Sequence, residues 1–198
     1  QIFKNNFLRI GAIYTGFQYI YQKGIDMDKR HIPKNRGDIY KDLLMKNCVG
    51  SASTLLVKKK CFDKVKLFDE SLPSCQDWDM WIRIASRYSI DFVNKPLAKV
   101  RVHDKFTSWQ NSPNELYLGW LKMLEKVENL YLSEGIISNK ILRQSRALAN
   151  YNYGLALLRR DMLAESLEYF FVAIQLYPTY VKTYVRLLEY LCRRITEE

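Results

Sequence analysis

A carboxylate, two tryptophans and an arginine lie close together between Leu67 and Arg83. The turn formers Pro73–Ser74 precede an apolar spacing that predicts a helix. Asp77 would then occupy the first helical turn, where free backbone N–H groups and the helix dipole favour a negative charge. A carboxylate mounted in this way could accept a proton as a general base. The alternative is that Asp77 only caps the helix, while Trp78 and Trp81 fill the core.

Three other polar stretches could take part in binding. Asp26-Met27-Asp28 has the D-x-D pattern that can chelate a divalent cation, but Gly24 before it favours a solvated hairpin turn. Asn47–Ser53 is small and polar, which lets a backbone approach a ligand closely; a plain connector explains the same composition. Arg101 and His103 lie two residues apart at the end of a predicted strand, so their side chains emerge on the same side.

The elements that would position these residues indicate an α/β half with a short mixed sheet. Residues 11–23 suit a strand that is broken near Gly16 and ended by Gly24. Asp38 is a candidate cap for a short helix. The remaining predictions are a helix over 39–46, a strand over 54–57, a helical turn over 60–65, and two strands over 89–93 and 97–103 joined by residues 94–96.

The composition changes at the polar loop Thr107–Pro113, and everything beyond it indicates helices. The predicted helices cover 114–133, 138–159, 163–176 and 180–194, punctuated by Gly135, Asp161 and Pro178. Ser138 is a candidate cap for the second of them. Their apolar stripes have the spacing of helix-packing faces. We therefore expect no nucleotide chemistry from this half.

The formal net charge of +10 indicates an anionic partner, such as a nucleotide, a phospholipid surface or a nucleic acid. The densest basic run, Lys58-Lys59-Lys60, is only three residues long, and no recognisable nucleic-acid-binding module accompanies it. These observations argue against nucleic acid as the partner.

The four cysteines, at positions 48, 61, 75 and 192, are widely scattered and form no CxxC pair. This pattern fits reduced thiols in a cytosolic protein and argues against a structural zinc site. No apolar run reaches the roughly 18 residues that a membrane span needs, and no signal peptide opens the chain. The chain begins with Gln1 and reads as mid-protein sequence, so we expect a piece of a longer protein.

In order and spacing, four segments resemble the second half of the family-two glycosyltransferases, which are inverting enzymes with the GT-A fold. The segments are Asn47–Ser51, Val65–Leu72, Gln76–Arg83 and Pro96–His103. The similarity covers roughly residues 8–108. It implies that residues 1–108 are the acceptor-side part of a GT-A domain, with the nucleotide-binding half and its metal-binding Asp-x-Asp motif expected before residue 1.

The resemblance also implies roles for individual residues. Asp77 matches the aspartate that acts as base on the acceptor hydroxyl, and Gln76 stands where the family has a glutamate. His103 matches a histidine that helps to hold the metal–diphosphate in some relatives. Asp79 has no assigned chemistry, and an i,i+4 pair with Arg83 is its expected role. The residues expected to bind substrate are Gln76, Trp78, Asn47, Gly50, Ser51 and Arg101.

The implied mechanism is a single displacement at the anomeric carbon of a nucleotide-diphosphate sugar. A divalent metal, Mg or Mn, would neutralise the leaving diphosphate, and is expected only with the donor-binding half. These residues alone should therefore transfer no sugar. The expected acceptor is a glycan or a lipid-linked molecule of cell-surface polysaccharide assembly. The expected location is cytoplasmic, peripheral at the inner face of the membrane, where basic charge meets anionic lipid.

Residues 109–198 form the expected helical extension, and one stretch near 147–180 is similar to a tetratricopeptide repeat. The matching positions are Gly154, Ser166, Phe170, Ala173 and Pro178. Asn150 and Ser166 depart from the repeat's usual tryptophan and alanine. A single repeat cannot bury its faces alone, so it should pack on neighbouring helices or begin an array.

Three functions therefore remain open. The chain is part of a glycosyltransferase, or a non-catalytic module that binds a protein partner through the tetratricopeptide-like helices. The third is a basic protein that binds nucleic acid or a membrane surface, which only the net charge suggests.

Overall fold

The computed structural model describes residues 10–103, 112–132 and 135–197, with side chains described as far as Cys192. The chain forms two compact units, residues 1–71 with 75–106, and residues 72–74 with 107–198. The first unit is mixed α/β and the second is helical. The predicted boundary loop Thr107–Pro113 lies largely outside the described residues, and the predicted helix end at Ser133 lies wholly outside them.

The described residues of the first unit form four strands and three helices. The strands are β1 (Ile10–Ile20), β2 (Asp26–His31), β3 (Leu55–Val57) and β4 (Ser89–Arg101). The helices are α1 (Tyr40–Met45), α2 (Lys59–Val65) and α3 (Gln76–Ala85), and a 3-10 turn covers Ala52–Thr54. The predicted short helices and the strand before α2 are confirmed to within one residue at each end. Thr54, which was predicted to be in the strand, belongs to the 3-10 turn.

Strand β1 is the centre of a mixed sheet. It pairs in parallel with β4 along its length, and antiparallel with β3 near its start and with β2 near its end. The predicted break at Gly16 is wrong, because β1 runs through it. Instead the register with β4 shifts around Gly16, where a side chain would collide with the carbonyl oxygen of His31. The glycine therefore lets neighbouring chain segments approach the middle of the sheet.

Two further strand predictions are corrected. Asp26-Met27-Asp28 is not the hairpin turn but the start of β2, and the turn lies at Tyr21–Gly24, where Gly24 has φ +85°. The two strands predicted over 89–93 and 97–103 are one strand, β4, which passes through Pro96 because its pairing with β1 is irregular there. His103 lies just beyond the end of β4.

Helix α3 is fixed by buried polar contacts. The predicted Asp79–Arg83 pair is confirmed: both nitrogens of the Arg83 fork donate to Asp79 Oδ2, at 2.8 and 2.7 Å. The Arg83 side chain also donates to the backbone carbonyls of Val65 and Leu67. The core prediction for the two tryptophans is confirmed as well, since Trp78 is 7% exposed and Trp81 is 2% exposed.

The second unit contains α4 (Pro113–Tyr131), α5 (Asn139–Leu158), α6 (Leu163–Leu176) and α7 (Val181–Glu197). Ser138 caps α5, as predicted, by accepting a hydrogen bond from the Ile141 N–H. Between α5 and α6, Asp161 adopts the left-handed conformation that turns the chain back (φ +58°). The bounds of α6 agree with the prediction, and Pro178 follows its C-terminal cap at Tyr177.

Helices α5 and α6 pack through the residues that resemble the tetratricopeptide repeat. A Cβ at Gly154 would lie 3.0 Å from Phe170 Cε1 and 3.1 Å from the Ser166 carbonyl oxygen, so any other residue would require these neighbours to move by a few tenths of an ångström. Ser166, Phe170 and Ala173 are all buried. The helix pair is thus observed, and the repeat assignment itself stays a prediction.

Helix α7 leaves an apolar stripe exposed, formed by Val181, Tyr184, Val185, Leu188 and Leu191. Its inner side carries the buried Thr183 and the partly buried Leu187, which packs against the core of α5 and α6. In the part of the chain that the structure describes, no helix is both long and apolar enough to cross a membrane.

Candidate functional site

Asp77 lies in the first turn of α3, as the sequence predicts. The residue before the helix, Cys75, adopts a left-handed conformation (φ +65°), which is uncommon for a residue other than glycine. This sharp turn starts the helix at once, with Gln76 and Asp77 as its first residues. Asp77 Oδ1 accepts a hydrogen bond of 2.7 Å from the Trp78 backbone N–H.

The environment of Asp77 makes its carboxylate more basic than an exposed one. Burial raises the pKa of Asp77, and the backbone N–H groups of Trp78 and of Asp77 itself oppose that rise. Among the described residues, its side chain has no ion-pair partner. A half-buried carboxylate without a compensating cation can accept a proton, which is the property that a general base needs.

The side chains on either side of Asp77 differ in what they can offer a ligand. Trp78 is buried, and its indole N–H donates to the Leu43 carbonyl oxygen at 2.6 Å. This bond attaches α3 to α1 and so positions Asp77. Gln76 is partly exposed at the start of the same helix. The predicted binding role therefore suits Gln76 by position, whereas Trp78 serves as the support beneath Asp77.

The predicted binding loop Asn47–Ser51 is a structured turn. The Asn47 side chain brackets Gly50, donating to its carbonyl oxygen at 3.1 Å and accepting from its N–H at 2.9 Å. Gly50 has φ +90°, and a Cβ there would lie 2.7 Å from Phe17 Cε1. Ser51 caps the following 3-10 turn by accepting from the Ser53 N–H. The loop is thus held closely against β1.

Arg101 and His103 lie at the other end of this part of β1. Arg101 pairs with Ile20, three residues beyond Phe17, so it lies about 10 Å further along the strand at roughly 3.3 Å per residue. Its guanidinium donates to the carbonyl oxygens of Tyr21 and Gln22, at 3.4 and 2.5 Å. The side chains of Arg101 and His103 are exposed, and those of Val100 and Val102, which alternate with them, are partly buried. The predicted alternation at this strand end is confirmed.

The three predicted segments therefore belong to one unit that is built around β1. Helix α3 contacts α1, β1 and β4, and the 3-10 turn after the binding loop contacts β1 and β4. The structure shows no hydrogen bond between the Asp77 side chain and either Arg101 or His103 within the described residues. Each element that carries a candidate site residue instead packs against, or belongs to, the same sheet.

The described residues do not fit a divalent-metal site. They contain no cluster of three His, Cys, Asp or Glu side chains that could hold a metal ion. Asp26, the first acid of the D-x-D triplet, forms an ion pair of 2.7 Å with Lys99 Nζ. His103 offers a single exposed imidazole. The predicted Mg or Mn ion was expected only with a donor-binding half, so it stays a prediction.

A basic pocket of about 650 Å³ was missed by the sequence analysis. It lies between the end of β2 and helix α1, and its lining includes Arg30, His31, Lys34, Lys46 and Cys48. The sequence signal was weak, because the five lysines and arginines between Arg30 and Lys46 resemble an ordinary solvated surface. Three of them line the pocket. Tertiary packing, rather than spacing, turns them toward one cavity.

Comparison with known proteins gives partial matches to proteins named uncharacterized glycosyltransferases. The chain is 32% identical to one from Rickettsia typhi over 131 residues, which is 61% of this chain and 40% of that protein. It is 31% identical to one from Rickettsia prowazekii over 130 residues, with the same shares covered. A third, from Rickettsia conorii, is 30% identical over 148 residues, or 70% of this chain and 24% of that protein.

The chain thus spans about 40% of the length of the first two relatives. No family model matches it. What the comparison establishes is a similarity to part of proteins that bear the name glycosyltransferase.

Proposed function

We propose that this chain is the acceptor-side part of a family-two glycosyltransferase of the GT-A type, which transfers a sugar from a nucleotide-diphosphate donor with inversion. The observation that carries the proposal is Asp77, a half-buried carboxylate in the first turn of α3 whose pKa is raised by burial. The names of the rickettsial relatives support the same reaction class.

In the proposed reaction, Asp77 takes the proton of the acceptor hydroxyl as that oxygen attacks the anomeric carbon. The bond from this carbon to the diphosphate oxygen breaks in the same step, and the configuration inverts. Gln76, the Asn47–Ser51 loop and Arg101 would contact the substrates, and His103 would face the metal–diphosphate. The divalent metal belongs to the proposed donor-binding half, and no step assigned to this chain runs through it.

The proposed setting follows from the charge of the chain. A net charge of +10 suits a protein that works beside anionic groups, here an anionic inner membrane surface together with a glycan or lipid-linked acceptor. We place the protein in the cytoplasm, peripheral to that surface, in cell-surface polysaccharide assembly.

The experiment compares two proteins against a panel of radiolabelled nucleotide-diphosphate sugars. One is the 198-residue chain, and the other carries these residues together with a donor-binding half. We expect sugar transfer or donor hydrolysis only from the second protein. Turnover by the 198-residue chain would contradict the division of the site, and no turnover with any donor would contradict the proposed reaction class.

A second candidate function is protein binding by the helical unit, and the exposed stripe of α7 favours it. The stripe is bordered by Lys182, which is exposed, and by Arg186, which pairs with Glu189 at 2.5 Å. An amphipathic helix with an apolar face and acidic flanks would match this surface. We expect Leu188→Glu to weaken binding of a synthetic acidic amphipathic peptide by about tenfold or more, about 1.4 kcal/mol.

The matched control is Gln175→Glu, which adds the same charge at an exposed position on α6. Equal loss of binding in both variants would show a general charge effect and contradict a site on α7. Fluorescence anisotropy of the labelled peptide measures both.

A further inference from the structure

The basic pocket between β2 and α1 concentrates cations that have no partner of their own. Arg30 is at the end of β2, Lys34 is in the loop that follows, and Lys46 directly follows α1. Within the described part of the chain, none of these three side chains forms an ion pair. Three cations from three separate segments converge on one concavity, which is unlike a row of solvated lysines along one helix face.

A single acid lines the same pocket, and it is already held. Asp42 Oδ2 accepts a hydrogen bond of 2.9 Å from the Asn35 side-chain amide. The loop that carries Lys34 and Asn35 is fixed in turn by Tyr14, whose hydroxyl donates to the Asn35 carbonyl oxygen at 2.7 Å. The lining therefore carries a net positive charge on a preformed scaffold.

The floor of the pocket connects it with the candidate site. The His31 ring stacks on Phe17, with ring centroids 5.0 Å apart, and Phe17 is the residue against which Gly50 is packed. Cys48, inside the Asn47–Ser51 loop, lines the pocket as well. His31 Nε2 is buried and lacks a hydrogen-bond partner among the described residues.

We propose that this pocket binds the phosphate or diphosphate group of a small molecule. A diphosphate carries several negative charges and can satisfy all three cations at once, with Arg30 able to bind two of its oxygens. The volume of about 650 Å³ lies within the range of small-molecule sites. A concave site of this size suits a small phosphorylated ligand better than a lipid surface or a nucleic acid, which need an extended basic face.

The proposal rests on the proposed function for its source of ligand. Sugar transfer offers two diphosphates, that of the nucleotide donor and that of a lipid-linked acceptor. Both present the same chemistry to Arg30, Lys34 and Lys46, so the phosphate group itself is what the pocket recognises.

His31 supplies a direct probe of occupancy. Burial lowers the pKa of His31, and the positive charge of Lys46 lowers it further, while the Cys48 backbone opposes the shift. The other charged or titratable groups of the lining are Arg30, Lys34, Asp42 and Cys48, and Tyr14 interacts with the last two. Burial raises the pKa of the Cys48 thiol to about 11. An anion bound beside Lys46 would offset the charge of that lysine and raise the pKa of His31.

The test is a proton NMR titration of the 198-residue chain with inorganic pyrophosphate. The chain has two histidines, so the imidazole C2–H signals of His31 and His103 can both be followed. We expect a saturable shift and a raised pKa for His31. Lys46→Gln and Arg30→Gln should each weaken binding by about tenfold, since each removes a charge-assisted contact. Lys59→Gln, an exposed lysine on α2, is the matched control and should bind as the native chain does.

A shift confined to His103, no saturation up to about 10 mM, or native binding by both pocket variants would overturn the proposal. Tighter binding of uridine diphosphate than of pyrophosphate assigns the pocket to the donor, and tighter binding of farnesyl diphosphate assigns it to the acceptor; either supports it. If the chain binds pyrophosphate but the protein with a donor-binding half transfers no sugar, the pocket proposal is supported and the proposed function is contradicted. If that protein transfers sugar but the chain binds no pyrophosphate, the proposed function is supported and the pocket proposal is contradicted.

Discussion

The two units of this chain stabilise their helices by different means. In the first unit, α3 is held by a buried ion pair whose side chains are 1% exposed for Asp79 and 6% for Arg83. In the second unit, α5 and α6 meet through a glycine, and the buried polar side chains among its described residues are uncharged. Ser145 there accepts from the Trp120 indole, and Asn150 accepts from the Tyr117 hydroxyl.

The two kinds of packing constrain the helices to different degrees. A buried charge is tolerated only when its partners surround it, so Arg83 holds α3 at one position against the backbone of residues 65–67. That position also sets the place of Asp77. Small-residue packing requires only that two helix surfaces approach, which any similar helix pair can repeat. The buried ion pair thus fixes the position of one helix in the first unit, whereas small-residue packing brings two helix surfaces together in the second.

Arg83→Met should have the largest effect on the first unit. It leaves Asp79 buried without its main partner, so we expect a loss of about 3–5 kcal/mol in the free energy of unfolding of the first unit. Hydrogen exchange should show lost protection in peptides from 76–85, with little change in 139–176. The double variant Asp79→Leu/Arg83→Met should recover most of the loss. Equal loss of protection in both units would contradict their separate stabilisation.

The complementary change in the second unit is Gly154→Val. The added atoms meet the Phe170 ring and the Ser166 carbonyl, so we expect a loss of about 2–3 kcal/mol from overpacking, confined to α5 and α6. Ala164→Val, at an exposed position on α6, is the control and should cost about 0.5 kcal/mol. Denaturant unfolding followed by hydrogen exchange measures both. A harmless Gly154→Val would show that the helices do not meet as closely as described.

A smaller loss of stability should show whether the Asn47 side chain holds the Asn47–Ser51 loop in its conformation or is available to bind a ligand. Asn47→Ala removes two hydrogen bonds to Gly50, so we expect a loss of about 1–2 kcal/mol in the first unit. Asn94→Ala, at an exposed position in β4, should change stability by less than about 0.5 kcal/mol. If Asn47→Ala is equally silent, the Asn47 amide does not shape the loop and is free for a ligand.

The smallest expected effect is the change in the free energy of unfolding that Asp77→Asn causes as the pH rises. Its pKa is raised in the folded chain, so its stabilising contribution is present below the unfolded-state pKa and is lost as pH rises through the folded pKa. We therefore expect Asp77→Asn to match the native chain near pH 3 and to equal or exceed its stability at pH 7. Urea unfolding across this range measures the difference. A variant that is less stable at pH 7 than at pH 3, relative to native, would contradict the raised pKa.

Local sequence signals predicted most of the helices. Ser138, Asp161 and Pro178 mark ends that depend on local capping and backbone conformation, and the structure places helix ends there. The Asp79–Arg83 pair was predictable for the same reason, since an i,i+4 spacing brings the two side chains together in any helix.

Features that depend on distant pairing could not be predicted in this way. Gly16 and Pro96 look like strand breakers, but they pair with each other across β1 and β4. The register of the two strands shifts on both sides of this pair, so both strands continue. The convergence of Lys46 with Arg30 likewise requires that the end of α1 lie beside β2. No local pattern carries that information.

We propose that Asp77 is the base of a sugar transfer, and a matched pair of variants tests this role. In the protein that combines these residues with a donor-binding half, we expect Asp77→Asn to lower kcat by about 10²–10⁴-fold, with an unfolding midpoint equal to or above the native one. Glu165→Gln also removes a carboxylate from the first turn of a helix, α6 in the second unit, and should leave kcat unchanged. Native turnover by Asp77→Asn, or equal losses in both variants, would contradict the claim.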